Sequence, residues 1–93
     1  MQTHNIKLSY LFADAVNEGL KTFEIRENDR GYQAGDRIIF TVIDRIGVTM
    51  PHPVSRKAYV ITYLLHGWGL KEGYCVFGIK PWAEQEWAVK SNG

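Results

Sequence analysis

GLKTFEIRENDR, residues 19–30, is the stretch whose reading decides the architecture of this chain. Gly19 is a natural stop for a helix, because a residue without a side chain adopts the left-handed turn that ends one. From Thr22 to Glu27 the residue types alternate as in a strand. Phe23 and Ile25 point one way, and Thr22, Glu24 and Arg26 point the other. Glu24 and Arg26 therefore share a face roughly 6.6–7 Å apart, and Lys21 enters the same region from the helix end. Three ionisable groups this close are costly if buried and unpaired. They are tolerated if they pair, face water or face a polar ligand.

Working outward, His4 to Leu8 reads as a short strand with Ile6 and Leu8 on one face. Ser9 is placed to cap a helix, accepting from a backbone amide of the next turn. From Tyr10, the apolar residues Leu11, Phe12, Ala15 and Val16 recur at helical spacing up to Gly19. About two and a half turns cannot persist alone, so the helix must be held by packing against a sheet. On the other side, Glu27 to Gly35 is polar and turn-rich, and Gly35-Asp36 punctuates it. Arg37 to Ile43 is the strongest strand, rich in β-branched residues. Asp44 to Arg56, with Gly47, Pro51 and Pro53, suits a long hairpin connection better than regular structure. Lys57 to Leu65 and Tyr74 to Lys80 are two further strands, joined by the loop HGWGLKEG at residues 66–73. The expectation is an α+β domain over residues 1–81. It is a small, mostly antiparallel, barrel-like sheet of five strands with one helix across an end. Residues 82–93 form a C-terminal tail, either one or two helical turns or partly disordered.

At 93 residues the chain is one domain, burying roughly 60–65% of its unfolded surface. Its 45% apolar content fits a packed core. Eleven basic against ten acidic residues leave a net charge of +1, so no whole-molecule field draws it to duplex DNA or an anionic membrane. Any contact with nucleic acid must come from a local cluster. Cys75 is the single cysteine, which excludes an internal disulfide and a cysteine-based zinc site. His4, His52 and His66 have no ligand spacing, so neither metal nor cofactor is expected. No apolar run approaches the ~18 residues of a membrane span. MQTHNIKLSY lacks the features of a signal peptide. A cytoplasmic protein without membrane contact is expected.

The cluster at residues 21–26 has a specific chemistry. A guanidinium such as Arg26 forks two hydrogen bonds to a phosphate or stacks on a base. Lys21 offers a mobile cation to phosphate or carbonyl oxygen. Glu24 accepts from an exocyclic base amine, or holds Arg26 in place. The alternative is an ordinary surface ion pair between Glu24 and Arg26, worth ~0–1 kcal/mol. Periodicity leaves both readings open.

Several segments together resemble the ASCH branch of the PUA-like superfamily. They are the early strand with His4, the helix ending at Gly19, KTFEIR from Lys21 to Arg26, NDR at Asn28 to Arg30, Gly35-Asp36, and GLKEGYCVFGI from Gly69 to Ile79. The chain is most similar to the short bacterial and phage-type members of unknown function, over about residues 4 to 79. The resemblance implies a small β-barrel that binds RNA, a nucleotide or a modified nucleoside. Lys21, Glu24 and Arg26 would line its cleft, with His4 hydrogen-bonding there. Some ASCH-like relatives are amidohydrolases acting on N-acetylated cytidine, through a lysine, a threonine three residues later and a further glutamate. Lys21 matches the lysine, but Glu24 stands where the threonine is expected. Thr22 offers a hydroxyl out of register, and Glu72 is a loop candidate for the glutamate. A lysine acting as base must also shed its proton, which a neighbouring carboxylate opposes. As an enzyme the chain would use Lys21, Thr22 and Glu24 as an amidohydrolase; a binding module is the preferred expectation.

Among the remaining residues, Trp68 in its glycine-rich loop either stacks on a base or plugs the end of the barrel. Tyr32, Tyr63 and Tyr74 offer flat faces, with sheet or core packing the expected role of Tyr63 and Tyr74. Arg30 is either a phosphate contact or a solvated turn residue. Cys75 is expected to be a buried small hydrophobe, and Arg56 and Lys57 to be solvated. Trp82 and Trp87 either fold back on the core or join two copies of the chain as a homodimer; an exposed pair would make a protein-interaction patch.

Overall fold

Alternating apolar residues build the five strands of the computed structural model, which describes residues 1–82. In chain order they are β1 (Thr3–Ser9), the helix α1 (Tyr10–Asn17), β2 (Phe23–Glu27), β3 (Arg37–Ile43), β4 (Ala58–His66) and β5 (Tyr74–Pro81). A 3-10 turn at Pro53–Arg56 breaks the connection between β3 and β4, where only irregular structure is expected from sequence. It starts there because Pro53 presets the backbone and the His52 ring accepts from the Val54 amide at 3.0 Å. Ser9 caps α1 as expected, its hydroxyl accepting from Leu11 N. Gly19, at φ 78°, turns the chain out of the helix. The amides of Leu20 and Lys21 both donate to the Ala15 carbonyl at 2.9 and 3.0 Å, which fixes where Lys21 leaves the helix.

The strands form one mixed sheet in the order β1-β3-β4-β5-β2. Only β1 and β3 run parallel; the other three pairings are antiparallel. The inward residues Ile6 and Leu8, Ile38, Phe40 and Val42, Tyr59 and Ile61, and Cys75, Phe77 and Ile79 meet in a single core. Cys75 is wholly buried, and burial pushes its thiol above the usual range. From α1 only Ala13 and Val16 enter the core. Leu11 and Phe12, at core positions by helical spacing, are exposed instead. With Ala13 and Val16 on the core, Phe12 lies on the side of the helix that shares a hollow with Phe23, the first residue of β2.

Between Ile61 and Leu64 the register of β4 against β5 slips, leaving Thr62 and Tyr63 opposite Gly78. The slip carries Tyr63 outward to 71% exposure, not into the sheet packing expected of it. A side chain on Gly78 would be crowded, because a Cβ on it would lie 2.5 Å from Thr62 Oγ1. Beyond β5, the Trp82 amide donates to the Ala58 carbonyl at 2.9 Å, and its indole lies 3.9 Å from the Arg37 guanidinium. Trp82 thus folds back on its own chain; Trp87 falls outside the described residues.

The outermost strands, β1 and β2, do not pair with each other, so the backbone ladder does not close into a barrel. Glu24 stands opposite Phe77 and Arg26 opposite Cys75 in the register of β2 and β5. Both charged residues therefore lie on the inner face with the core, while Phe23 and Ile25 face out. The Arg26 Nη2 donates to the Lys7 carbonyl of β1, so a side chain spans the gap that hydrogen-bonded strands leave open.

Candidate functional site

Glu24 is 3% exposed, yet it is a carboxylate. Its burial is sustained by two cations. Lys21 Nζ donates to Oε2, and Arg26 donates to Oε1 from Nε at 3.0 Å and from Nη2 at 2.8 Å. The Lys21 ammonium also donates to the Phe23 carbonyl at 2.7 Å. It lies 5.2 Å from the centre of the Phe12 ring and 4.8 Å from that of Phe23, where the ring faces attract a cation. A surface ion pair does not describe this arrangement, since the shared carboxylate is almost dry.

The three groups sit in a cleft of about 550 Å³, walled by Phe12, Phe23, Ile25 and Tyr74. That volume lies within the range of small-molecule sites, and mostly apolar walls with a few convergent polar groups are their usual chemistry. Lysine has three N–H donors and arginine five. Two of the three on Lys21 are engaged, and Nη1 of Arg26 donates to no protein atom among the described residues. The cleft thus holds two partly engaged cations beside aromatic faces. An anionic or carbonyl oxygen on a flat, apolar body suits it.

The other sequence candidates lie elsewhere. His4 is buried away from the cleft, with Nε2 at 2.8 Å from Asp36 Oδ2 and its ring edge-on to Tyr32 at 4.8 Å. Asp36 also accepts from the amides of Gln2 and Gln33, both at 3.1 Å. Burial alone would raise its carboxyl, but these hydrogen bonds outweigh burial and hold it below the usual aspartate range. Trp68 neither plugs the sheet nor lines the cleft. It is 88% exposed at the tip of the β4–β5 hairpin, with a left-handed φ of 55°. Thr22 borders a smaller recess with Val16 and Tyr59, outside the cleft. Arg30 lies on a second recess, on the far side of Arg26. Tyr32 packs between His4 and Phe77 in the core. Glu72, Arg56 and Lys57 are exposed.

Sequence reading missed the walls of the cleft. Phe12 falls at helical spacing with the other apolar residues of α1, Phe23 lies on the strand face opposite Glu24, and Tyr74 offers a flat face with sheet or core packing as its expected role. Ser9 is the hydroxyl that borders the cleft, and it reads only as a helix cap. The signal for the walls was the conflict within β2: a charged face and an apolar face cannot both turn inward, and the charged one did.

Among the described residues no helix is long and apolar enough to cross a membrane. No three His, Cys, Asp or Glu side chains among them gather as metal donors. The model of the family described as Domain of unknown function (DUF3850) matches residues 3–79, and the chain belongs to that family. No curated protein matches the chain.

Proposed function

We propose, from the motif resemblance and from the cleft, that this protein binds a nucleotide or single-stranded RNA as an ASCH-like, PUA-like module. The observation that carries the reading is the buried Glu24 carboxylate, which holds Lys21 and Arg26 together at the base of an aromatic-walled hollow. A nucleobase matches it in kind. Its flat face packs against Phe12, Phe23 or Tyr74, as unpaired bases do on aromatic side chains. Its carbonyl edge accepts from Lys21 or Arg26. The kinship with PUA-like barrels rests on the quoted motifs.

Binding takes precedence over hydrolysis of N-acylated cytidine. Thr22, the hydroxyl closest in sequence to the relatives' threonine, stands outside the cleft. Ser9, which borders it, accepts the Leu11 amide as a helix cap.

Calorimetric titration with the ribonucleosides and with short single-stranded RNAs tests the reading. Saturable binding is expected, weakened about tenfold or more by Phe23→Ala or Arg26→Ala, since each removes a face or a charged contact. Phe23 is exposed and outside the core, so its variant keeps the fold and isolates the ligand contact. Binding by none of these compounds, or binding indifferent to both substitutions, overturns the proposal.

A further inference from the structure

Arg26 is a wall common to two hollows. One is the aromatic cleft; the other, of about 460 Å³, lies toward β1 and the loop after β2. Lys7, Arg30, Asn5 and Tyr32 border this second recess, with Asp29 at hand and Glu27 shared with the first. Its character is the reverse of the first: it has polar walls and no aromatic pair. Three basic residues border it from three separate elements, Lys7 from β1, Arg26 from β2 and Arg30 from the following loop, together with the carboxylates Glu27 and Asp29; Arg26 is also paired with Glu24 behind it. Burial pushes the Tyr32 phenol up; the charges of Arg26 and Arg30 lower it and that of Asp29 raises it.

We propose that this second recess takes the phosphate of the ligand whose base occupies the aromatic cleft. The ligand class is then a nucleotide or a phosphate-linked strand, not a free base or nucleoside. The proposal rests on reading the first cleft as a base site. A base and its phosphate are separated by one sugar, and the two hollows are separated by one side chain. Arg26 already commits Nε and Nη2 to Glu24 and to the Lys7 carbonyl, so it is a fixed divider that reaches both halves of such a ligand. Arg30 and Lys7 complete the anion contacts, and a guanidinium suits phosphate oxygens by its forked geometry. Glu27 and Asp29 are acceptors for sugar hydroxyls.

The test is calorimetric titration of the full chain with the four ribonucleosides, their 5′- and 3′-monophosphates and inorganic phosphate. Wild type is compared with Arg30→Ala and Lys7→Ala. Both side chains are exposed, and Lys7→Ala keeps the backbone carbonyl that Arg26 uses. At least one monophosphate is expected to bind about tenfold more tightly than its nucleoside, the size of one good charge-assisted contact. That advantage shrinks on raising the salt, and each variant reduces it while leaving nucleoside affinity unchanged. Nucleosides that bind as tightly as their monophosphates overturn the phosphate assignment and leave the base site standing. Variants that weaken nucleoside and monophosphate equally do the same. If no compound binds, the base site itself fails and the phosphate assignment goes with it.

Discussion

At Glu24 the carboxylate accepts three side-chain hydrogen bonds and touches almost no water, so its removal leaves Lys21 and Arg26 facing one another without a counter-charge. Breaking a mostly buried pair from one side costs about 3–5 kcal/mol. Exposure of the two cations, 17% and 24% at their side chains, puts the expected loss for Glu24→Ala at the low end, near 3 kcal/mol. Urea unfolding measures it. A loss below ~1 kcal/mol would return the pair to the class of surface salt bridges. The charged triad is legible in the alternation of residues 22–27, which pairs Glu24 with Arg26, and in the position of Lys21 at the helix end. The direction of the face is not, because a period of two assigns two faces without saying which is inside. Trp68 was unreadable for a related reason: its glycine neighbours announce a turn but not which way the ring leaves it.

At the level of elements, strand limits follow residue type closely, and Arg37–Ile43 is the same run in sequence and structure. β-Branched residues and flanking glycines suffice for that. The helix is legible in its ends, Ser9 and Gly19, and in part in its face, where Val16 is buried as its spacing implies. Helical spacing assigns Leu11 and Phe12 inward, while contact with the sheet is made through Ala13 and Val16. The irregularity in β4 has no local signature in residues 61–64, and it lies opposite Gly78 across the ladder. Gly78→Ala is expected to destabilise by about 1–3 kcal/mol through crowding against Thr62. Adding Thr62→Ala should restore most of the loss. Thermal denaturation of both single variants and the double variant decides it, since additive losses would show that the Thr62 hydroxyl is not the obstacle.

Across the whole molecule, Asp36 is the junction where the amino-terminal residues, β1, β3 and β4 meet. Its side chain accepts from Gln2, His4 and Gln33, and its carbonyl accepts from Ile61 at 2.8 Å. Its folded carboxyl titrates below its ordinary value of 3.8. The stabilisation it contributes is therefore complete above about pH 4 and is lost as the pH falls through the lower folded value. Urea midpoints measured from neutral pH downward should decline below about pH 4 in wild type. Asp36→Asn, less stable at neutral pH, should show a shallower acid decline; an identical acid slope in both would remove Asp36 from the cause. Sequence reading used Asp36 only as punctuation beside Gly35, because its partner His4 lies 32 residues away. Strand order was illegible on the same ground.

The strand order β1-β3-β4-β5-β2 has a consequence for how the chain is made. Residues 3–27 supply both outer rims, and β3, β4 and β5 supply a simple meander between them. A ribosome therefore releases the rims first, when neither has a neighbour to hydrogen-bond with. Each must wait for strands encoded later, and such distant pairings are slow to form. Nascent β1 lacks a partner until β3 emerges, and nascent β2 lacks one until translation passes residue 81; both are edges of the kind that invite aggregation or chaperone capture.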